Sequence, residues 1–318
     1  MRHKKLLKKI SVIAPIYNEE PVIGAYLEQT LAVLDEHFSD YELILIDDGS
    51  TDHTIERCLP FIKSHSNLRL ISFSRNYGHE IASTAGLDHA KGDFVVLMDA
   101  DLQHPPELIP QMVDKALEGF DVVCASRINR EQESWFKKTT AHLFYRFSRK
   151  MTGFDVESDT GNFRLLSRRV VDSLTQMKES NRHLLMMFAY VGFKKASIPY
   201  HCPPRIAGHS KYNLRKLINL ALDSIIGFSS RPLRTMSLFS VMISIIMMMY
   251  AGFILIQKLF THQQLADGMA SIIFLIAGLF SVLFLFLAII SEYISRILIE
   301  TKNRPLYYIK HDITHESL

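Results

Sequence analysis

Two long apolar runs near the carboxyl end constrain this chain more than any other feature. "TMSLFSVMISIIMMMYAGFILIQ" (235–257) and "MASIIFLIAGLFSVLFLFLAIIS" (269–291) each hold 23 residues with almost no charge. Each is longer than the ~20 residues a helix needs to cross a bilayer. The link between them, "KLFTHQQLADG", is short, so the pair is expected to form a helical hairpin across a membrane. Arg231 and Arg234 precede the first run, and Arg296, Lys302 and Arg304 follow the second, whereas the link offers only Lys258. Positive residues favour the cytoplasmic side, which predicts a multi-pass inner-membrane protein with both termini and its soluble part in the cytoplasm.

The preceding 230 residues mix charged and apolar positions in the manner of a soluble domain. Net charge is only +3, which gives no reason to expect a nucleic-acid partner. The basic residues gather at "MRHKKLLKK" and "KYNLRK", where they suit an anionic lipid surface. Three scattered cysteines, Cys58, Cys124 and Cys202, have neither disulfide nor metal-ligand spacing, which fits a reducing compartment. The fourteen histidines include no paired ligand spacing, so zinc is not expected. The first apolar run, "ISVIAPIY", is short and broken by Pro15, so it reads as a strand rather than a signal peptide.

Short β-branched runs at 10–14, 42–46, 68–73, 94–98 and 121–124 alternate with helix-like stretches at 20–37, 52–65, 78–90 and 105–118. That alternation predicts an α/β domain with a mostly parallel sheet covered on both faces. In such sheets ligands bind beyond the carboxyl ends of the strands. Those ends read "PIYNEE", "DDGSTD", "SRNYGHE", "DADLQHP" and "SRINR", rich in acids with an arginine. Asp99 and Asp101, two apart at the end of an apolar strand, would repel each other unless a cation lay between them. Mg²⁺ is commonly held by one or two carboxylates together with substrate phosphates, so a phosphorylated ligand and a divalent ion are expected here. Neither a G-x-G-x-x-G nor a P-loop motif is present. His104, just after the pair, is expected either to touch phosphate or ion or to be a solvated loop residue.

Taken in order, "APIYNEE", "IDDGSTD", "SRNYGHEIASTAGLDHAKGD" and "MDADLQHPPE" resemble the GT-A-fold glycosyltransferases of family 2. "DVESDTGNFRLLSRR" and "RIAGHSKYNLRKLINLALDSIIGFSSRPLR" resemble the polyprenyl-phosphate branch, relatives of dolichol-phosphate mannose synthase and of bactoprenol glucosyltransferases. The resemblance implies a Rossmann-like GT-A nucleotide-sugar domain over 1–210, an interfacial amphipathic helix at 211–232, the hairpin within 233–299 and a cytoplasmic tail at 300–318. It implies that Pro15, Tyr17, Glu19, Asp47 and Asp48 grip the nucleotide, with Ala100, Gln103 and Arg127 beside the donor. Asp99 and Asp101 would bind Mg²⁺ or Mn²⁺ at the donor diphosphate. Arg205, Ser210 and Lys211 would contact phosphate of donor or acceptor. Asp159 matches the acidic position assigned as base or acceptor-positioning group, with Asp155 and Glu157 as competitors. Asn162 stands where an acid is common in relatives.

The activity so implied is inverting transfer of one sugar, glucose favoured, from a nucleotide sugar such as UDP-glucose to polyprenyl phosphate. GDP-mannose or a UDP-linked modified arabinose are alternative donors, and a non-catalytic nucleotide-sugar-binding scaffold is a different class. "QESW" around Trp135 is not the Q-x-x-R-W signature of processive relatives, which disfavours a polysaccharide synthase. Neither apolar run contains a charge, and Glu292 stands just past the end of the second, so a lipid flippase has no polar path. Two helices make a small membrane footprint, so a homo-oligomer, up to a tetramer, is expected.

Overall fold

The structure is a computed structural model that describes residues 8–128, 160–202 and 268–318, with separate positions between 233 and 253. Asp155, Glu157 and Asp159, Trp135, the motif residues Arg205, Ser210 and Lys211, and the expected interfacial helix all lie outside the described residues.

Each of the five short β-branched runs forms its strand. In chain order the elements are β1 (Ile10–Ile16), α1 (Ile23–His37), β2 (Tyr41–Asp47), α2 (Thr54–Ser64), β3 (Leu68–Phe73), α3 (His79–His89) and β4 (Phe94–Leu97). A 3₁₀ turn at Pro106–Leu108 leads into α4 (Ile109–Leu117) and β5 (Val122–Arg127). Then come β6 (Thr160–Ser167), α5 (Arg168–Gln176), α6 (Leu184–Val191), β7 (Lys195–Tyr200), the long α7 (Met269–Thr301) and β8 (Ile309–Ile313).

The eight strands form one sheet in the order β7-β5-β6-β4-β1-β2-β3-β8. The β3-β2-β1-β4 half is parallel as expected, but β6 runs antiparallel between β4 and β5, and β8 antiparallel to β3. The sheet is therefore mixed. Every residue of β1 is buried, because helices cover both faces and leave no polar side to the strand. Val12 and Ala14 pack with α1, α2 and α4, while Ile13 packs with α3 and α5 on the other face. Pro15 is tolerated inside β1 because β4 pairs only through Ile13, so a missing N–H falls where the strands have begun to part.

Gly86 sets how closely α3 approaches β1. A Cβ at that position would lie 2.0 Å from Cγ2 of Ile13, inside any tolerable contact. Gly86→Ala is expected to lower stability by ~1–3 kcal/mol through overpacking, readable in a thermal melt. An unchanged melting temperature would show that α3 can retreat without cost.

Residues 300–318, expected from sequence as a cytoplasmic tail, carry a strand that joins the sheet. β8 pairs with β3, and Arg69 grips Asp312 with Nε to Oδ1 at 2.8 Å and Nη2 to Oδ2 at 2.6 Å. Tyr307 stacks on Phe73 at 4.9 Å, and its hydroxyl donates to Asp88 at 3.2 Å. Just before, Glu300 at the end of α7 accepts from the backbone N–H of Ser180 at 2.8 and 3.0 Å. The guanidinium of Arg69 holds the Asp312 carboxyl below its ordinary range. A depressed folded value means that the pair's stabilisation is present above the ordinary carboxyl pKa of ~3.9 and is lost as pH falls through the folded value. Asp312→Asn is expected to speed hydrogen exchange in β8 while β1 stays protected. The pair is partly exposed, so global stability should move by less than ~1 kcal/mol.

Within Gly278–Thr301 of α7, a stretch of 18 residues has a mean hydropathy of 2.1, and none of that stretch is buried. The helix is long and apolar enough to cross a membrane. The described positions between 233 and 253 are helical, and Leu238, Phe239, Ile245 and Met249 among them are exposed.

Candidate active site

The carboxyl ends of β1, β2 and β4 meet on one edge of the sheet, and their loops are tied together by side chain to backbone bonds. Asn18, in a left-handed conformation (φ 55°), donates its N–H to Ser50 Oγ at 2.9 Å and accepts from Thr51 N–H at 2.8 Å. Glu19 N–H donates to Thr54 Oγ1 at 2.8 Å, and Glu20 N–H to Asp52 at 3.3 Å. Asx and Ser/Thr side chains suit this work because their short polar groups reach nearby backbone. Tyr17 and Glu19 thus sit half-buried on a braced platform.

Asp47 and Asp48 are both buried, and both hold loops. Asp47 accepts from Ser50 N–H at 3.0 Å and Ser72 Oγ at 2.7 Å. Asp48 accepts from the N–H groups of Tyr77 and Gly78 at 2.6 and 2.9 Å, fixing the turn into α3. Burial pushes the Asp48 carboxyl up from its ordinary value, against the pull of those two donors. The sequence marked this pair as nucleotide contacts; the geometry shows that they first build the frame.

Beyond β4, Asp99 and Asp101 flank buried Ala100 and remain partly open to solvent. The loop turns tightly at Leu102 (φ 61°), and Gln103 N–H donates to Asp101 Oδ1 at 3.1 Å. Asp99 N–H donates to His104 Nδ1 at 2.9 Å, which places the imidazole proton on Nε2. His104 is buried rather than solvated, stacked on Phe163 of β6 with ring centres 5.0 Å apart. Burial keeps its pKa below the ordinary histidine value although Asp99 and Asp101 pull the other way. Arg127, at the end of β5, donates from Nε to the Tyr200 hydroxyl at 3.2 Å, and Cys202 reaches the Gln103 carbonyl at 3.8 Å. Asp99, Asp101, Gln103 and His104 thus share one loop, with Arg127 close enough to Asp101 and His104 for their charges to interact.

Three members of this group were not assigned from sequence: His79 at the start of α3, and Phe163 and Asn162 on β6. His79 Nε2 lies 3.4 Å from Asp99 Oδ1 and 2.7 Å from the side-chain amide of Asn162. The only signal for Asn162 was the acid that the family resemblance leads one to expect at that position.

The site can host a divalent cation. Asp99 and Asp101 are neighbours on one loop, both partly open to solvent, and both offer carboxylate oxygen, the donor atom such ions prefer. Among the described residues, no group of three or more His, Cys, Asp or Glu side chains is placed to hold an ion alone. Two carboxylates without a full cage suit an ion whose remaining ligands come from phosphates and water.

A mixed α/β sheet with an acid-rich site at its strand ends defines a GT-A-like enzyme fold. The model of glycosyl transferase family 2 matches residues 11–175, more than half of the chain. The chain belongs to glycosyl transferase family 2 and is a glycosyltransferase. It is 42% identical over 305 residues to the uncharacterized glycosyltransferase YkcC of Bacillus subtilis, covering 94% of this chain and 93% of that one. It is 36% identical to the prophage-derived bactoprenol glucosyl transferase of Shigella flexneri, covering 95% and 97%. Among solved structures, glucosyl-3-phosphoglycerate synthase of Mycobacterium tuberculosis, crystallised with Mn²⁺, UDP-glucose and phosphoglyceric acid, shares the fold. Its TM-score is 0.51 at 20% identity, covering 69% of this chain and 78% of that one.

Proposed function

We propose that this glycosyltransferase moves one sugar, glucose favoured, from a nucleotide-sugar donor to polyprenyl phosphate at the cytoplasmic face of the inner membrane. The observation that carries the acceptor side is the return of the chain to its own sheet. β7 ends at Tyr200 and β8 begins at Ile309, and both belong to the catalytic sheet. A chain that leaves a domain on one side of a membrane and rejoins it must cross an even number of times. If α7 crosses once, the run 235–257 supplies the second crossing, which is the hairpin read from sequence. The flanking arginines and lysines then put the catalytic domain and both termini in the cytoplasm. Relatives named as bactoprenol glucosyl transferases match along 95% of the chain, which supports the lipid acceptor.

The chemistry follows from the residues. Tyr17 and Glu19, on the platform braced through Asp47 and Asp48, would seat the nucleotide. Asp99 and Asp101 would hold Mg²⁺ or Mn²⁺ against the donor diphosphate, with Gln103 and Arg127 alongside. The ion supplies Lewis-acid neutralisation of the leaving group. Arg127 adds a fixed cation on the same side. The acceptor phosphate oxygen forms the new bond to the anomeric carbon as the bond to the diphosphate oxygen breaks, and the nucleoside diphosphate leaves with the electron pair. Single displacement inverts the centre. Because the acceptor is already an anion, Asp159 contributes more by placing it than by taking a proton. Arg205, Ser210 and Lys211 are the groups proposed to receive its phosphate.

The test is transfer of label into the organic phase by the full-length protein in detergent with Mg²⁺ and polyprenyl phosphate. UDP-glucose, GDP-mannose and UDP-linked arabinose are supplied in separate arms. Label from UDP-glucose supports the favoured donor, and label only from another arm reassigns the sugar. No lipid-linked product from any donor would refute the acceptor.

A further inference from the structure

His79, Asn162 and Asp99 come from three separate elements, and no role assigned so far accounts for their meeting. The register explains Asn162. Leu97 of β4 pairs with Arg164 of antiparallel β6, so two residues further along each strand Asp99 falls opposite Asn162. His79 arrives from the other side as the first residue of α3, and its backbone has little freedom. Gly78 before it takes φ 102°, a region open to glycine, and Asp48 holds the N–H groups of Tyr77 and Gly78. Behind it, the Gly86 contact presses α3 onto β1.

The two oxygens of Asp99 are not equivalent. Oδ1 is buried, 3.4 Å from His79 Nε2, and has no hydrogen bond. Oδ2 lies 3.9 Å from His104 Nδ1, but that nitrogen already accepts the Asp99 backbone N–H and has no proton to give. A buried carboxylate oxygen left without a donor is costly. Placing the Nε2 lone pair of His79 toward a carboxylate would add repulsion, so the network assigns the proton to Nε2. The Asn162 amide then turns its oxygen to that nitrogen, an exchange of ends equivalent in shape, and the one proton is shared between Asn162 at 2.7 Å and Asp99 Oδ1 at 3.4 Å.

We propose that His79, braced by Asn162, is a positioning residue for Asp99: it engages Oδ1 and leaves Oδ2 directed to the cation. This rests on the cation reading given above. It also gives the amide at 162 a purpose. A carboxylate there would take most of the single Nε2 proton; an amide oxygen, a weaker acceptor, shares that proton with Asp99 and still braces the ring. Groups that orient a carboxylate ligand typically change metal affinity by ~10–100-fold when removed.

The experiment is Mn²⁺ titration of the full-length protein in detergent, followed by electron paramagnetic resonance, alone and with UDP or GDP, so no turnover is needed. His79→Ala is expected to weaken Mn²⁺ binding by about tenfold or more. Asn162→Ala should shift it in the same direction, and His79→Gln, which keeps a side-chain donor, should fall between His79→Ala and wild type. A purely structural role would lower the melting temperature and leave Mn²⁺ affinity alone. His79→Ala that binds Mn²⁺ as wild type does would overturn the proposal. Should that variant fail to fold, unchanged affinity in Asn162→Ala and His79→Gln overturns it equally. Wild-type protein that binds no Mn²⁺ would sink the cation reading itself, and this inference with it.

Discussion

Asp99→Asn and Asp101→Asn are each expected to cut glycosyl transfer by ~10³-fold while the protein stays folded. A bound cation is worth several kcal/mol of stabilisation for the charge that builds on a departing diphosphate, and each ~1.36 kcal/mol is a factor of ten. An amide of the same size keeps most of the local bonds. Asp99 N–H still donates to His104, and a carbonyl oxygen at 101 still accepts from Gln103 N–H. Stability should therefore move by no more than ~0.5 kcal/mol. The measurement is kcat for transfer beside a thermal melt. Near-normal turnover in both variants would remove the aspartates from the chemistry.

The largest loss of stability is expected at Phe163. Its side chain is fully buried, stacks on His104 and meets Tyr200 edge-on with centres 6.2 Å apart. Phe163→Ala should cost ~3–5 kcal/mol, the usual range for emptying such a site. Domains are stable by only ~5–15 kcal/mol, so much of the total would go. Phe163→Leu, which fills most of the volume, should cost clearly less. The alanine variant also removes the ring against which His104 lies, and with it the support under the Asp99 backbone. Chemical denaturation resolves the two variants. Equal stability of alanine and wild type would mean that the His104–Phe163 layer contributes nothing to the fold.

The parallel half of the sheet was legible because its strands are buried on both faces and read as unbroken apolar runs. β6, β7 and β8 were not. "TGNFRLLS" places Arg164 and Asn162 among apolar residues, "KASIPY" is short and half-exposed, and "IKHDI" is an exposed edge strand with charged side chains. Edge strands carry such residues because one side faces water, which erases the hydrophobic signal. Within the site, Asp99, Asp101 and Gln103 were readable because they are neighbours in sequence. His79 and Asn162 lie 83 residues apart and meet only through sheet register and helix packing. His104 was ambiguous because the sequence does not show that Phe163 covers it. The loop bonds of Asp47 and Asp48 were not legible, because loop-building carboxylates and ligand-binding ones look alike in sequence until their donors are known.

The central claim is that Asp99 and Asp101 form the donor site through a shared cation. Calorimetric titration of full-length protein with UDP-glucose and with GDP-mannose, in Mn²⁺ and in EDTA, tests it most directly. The account predicts that one donor binds in Mn²⁺, that EDTA abolishes the binding, and that Asp99→Asn loses it in Mn²⁺. Equal donor binding in EDTA and in Mn²⁺, unchanged in Asp99→Asn, would contradict it.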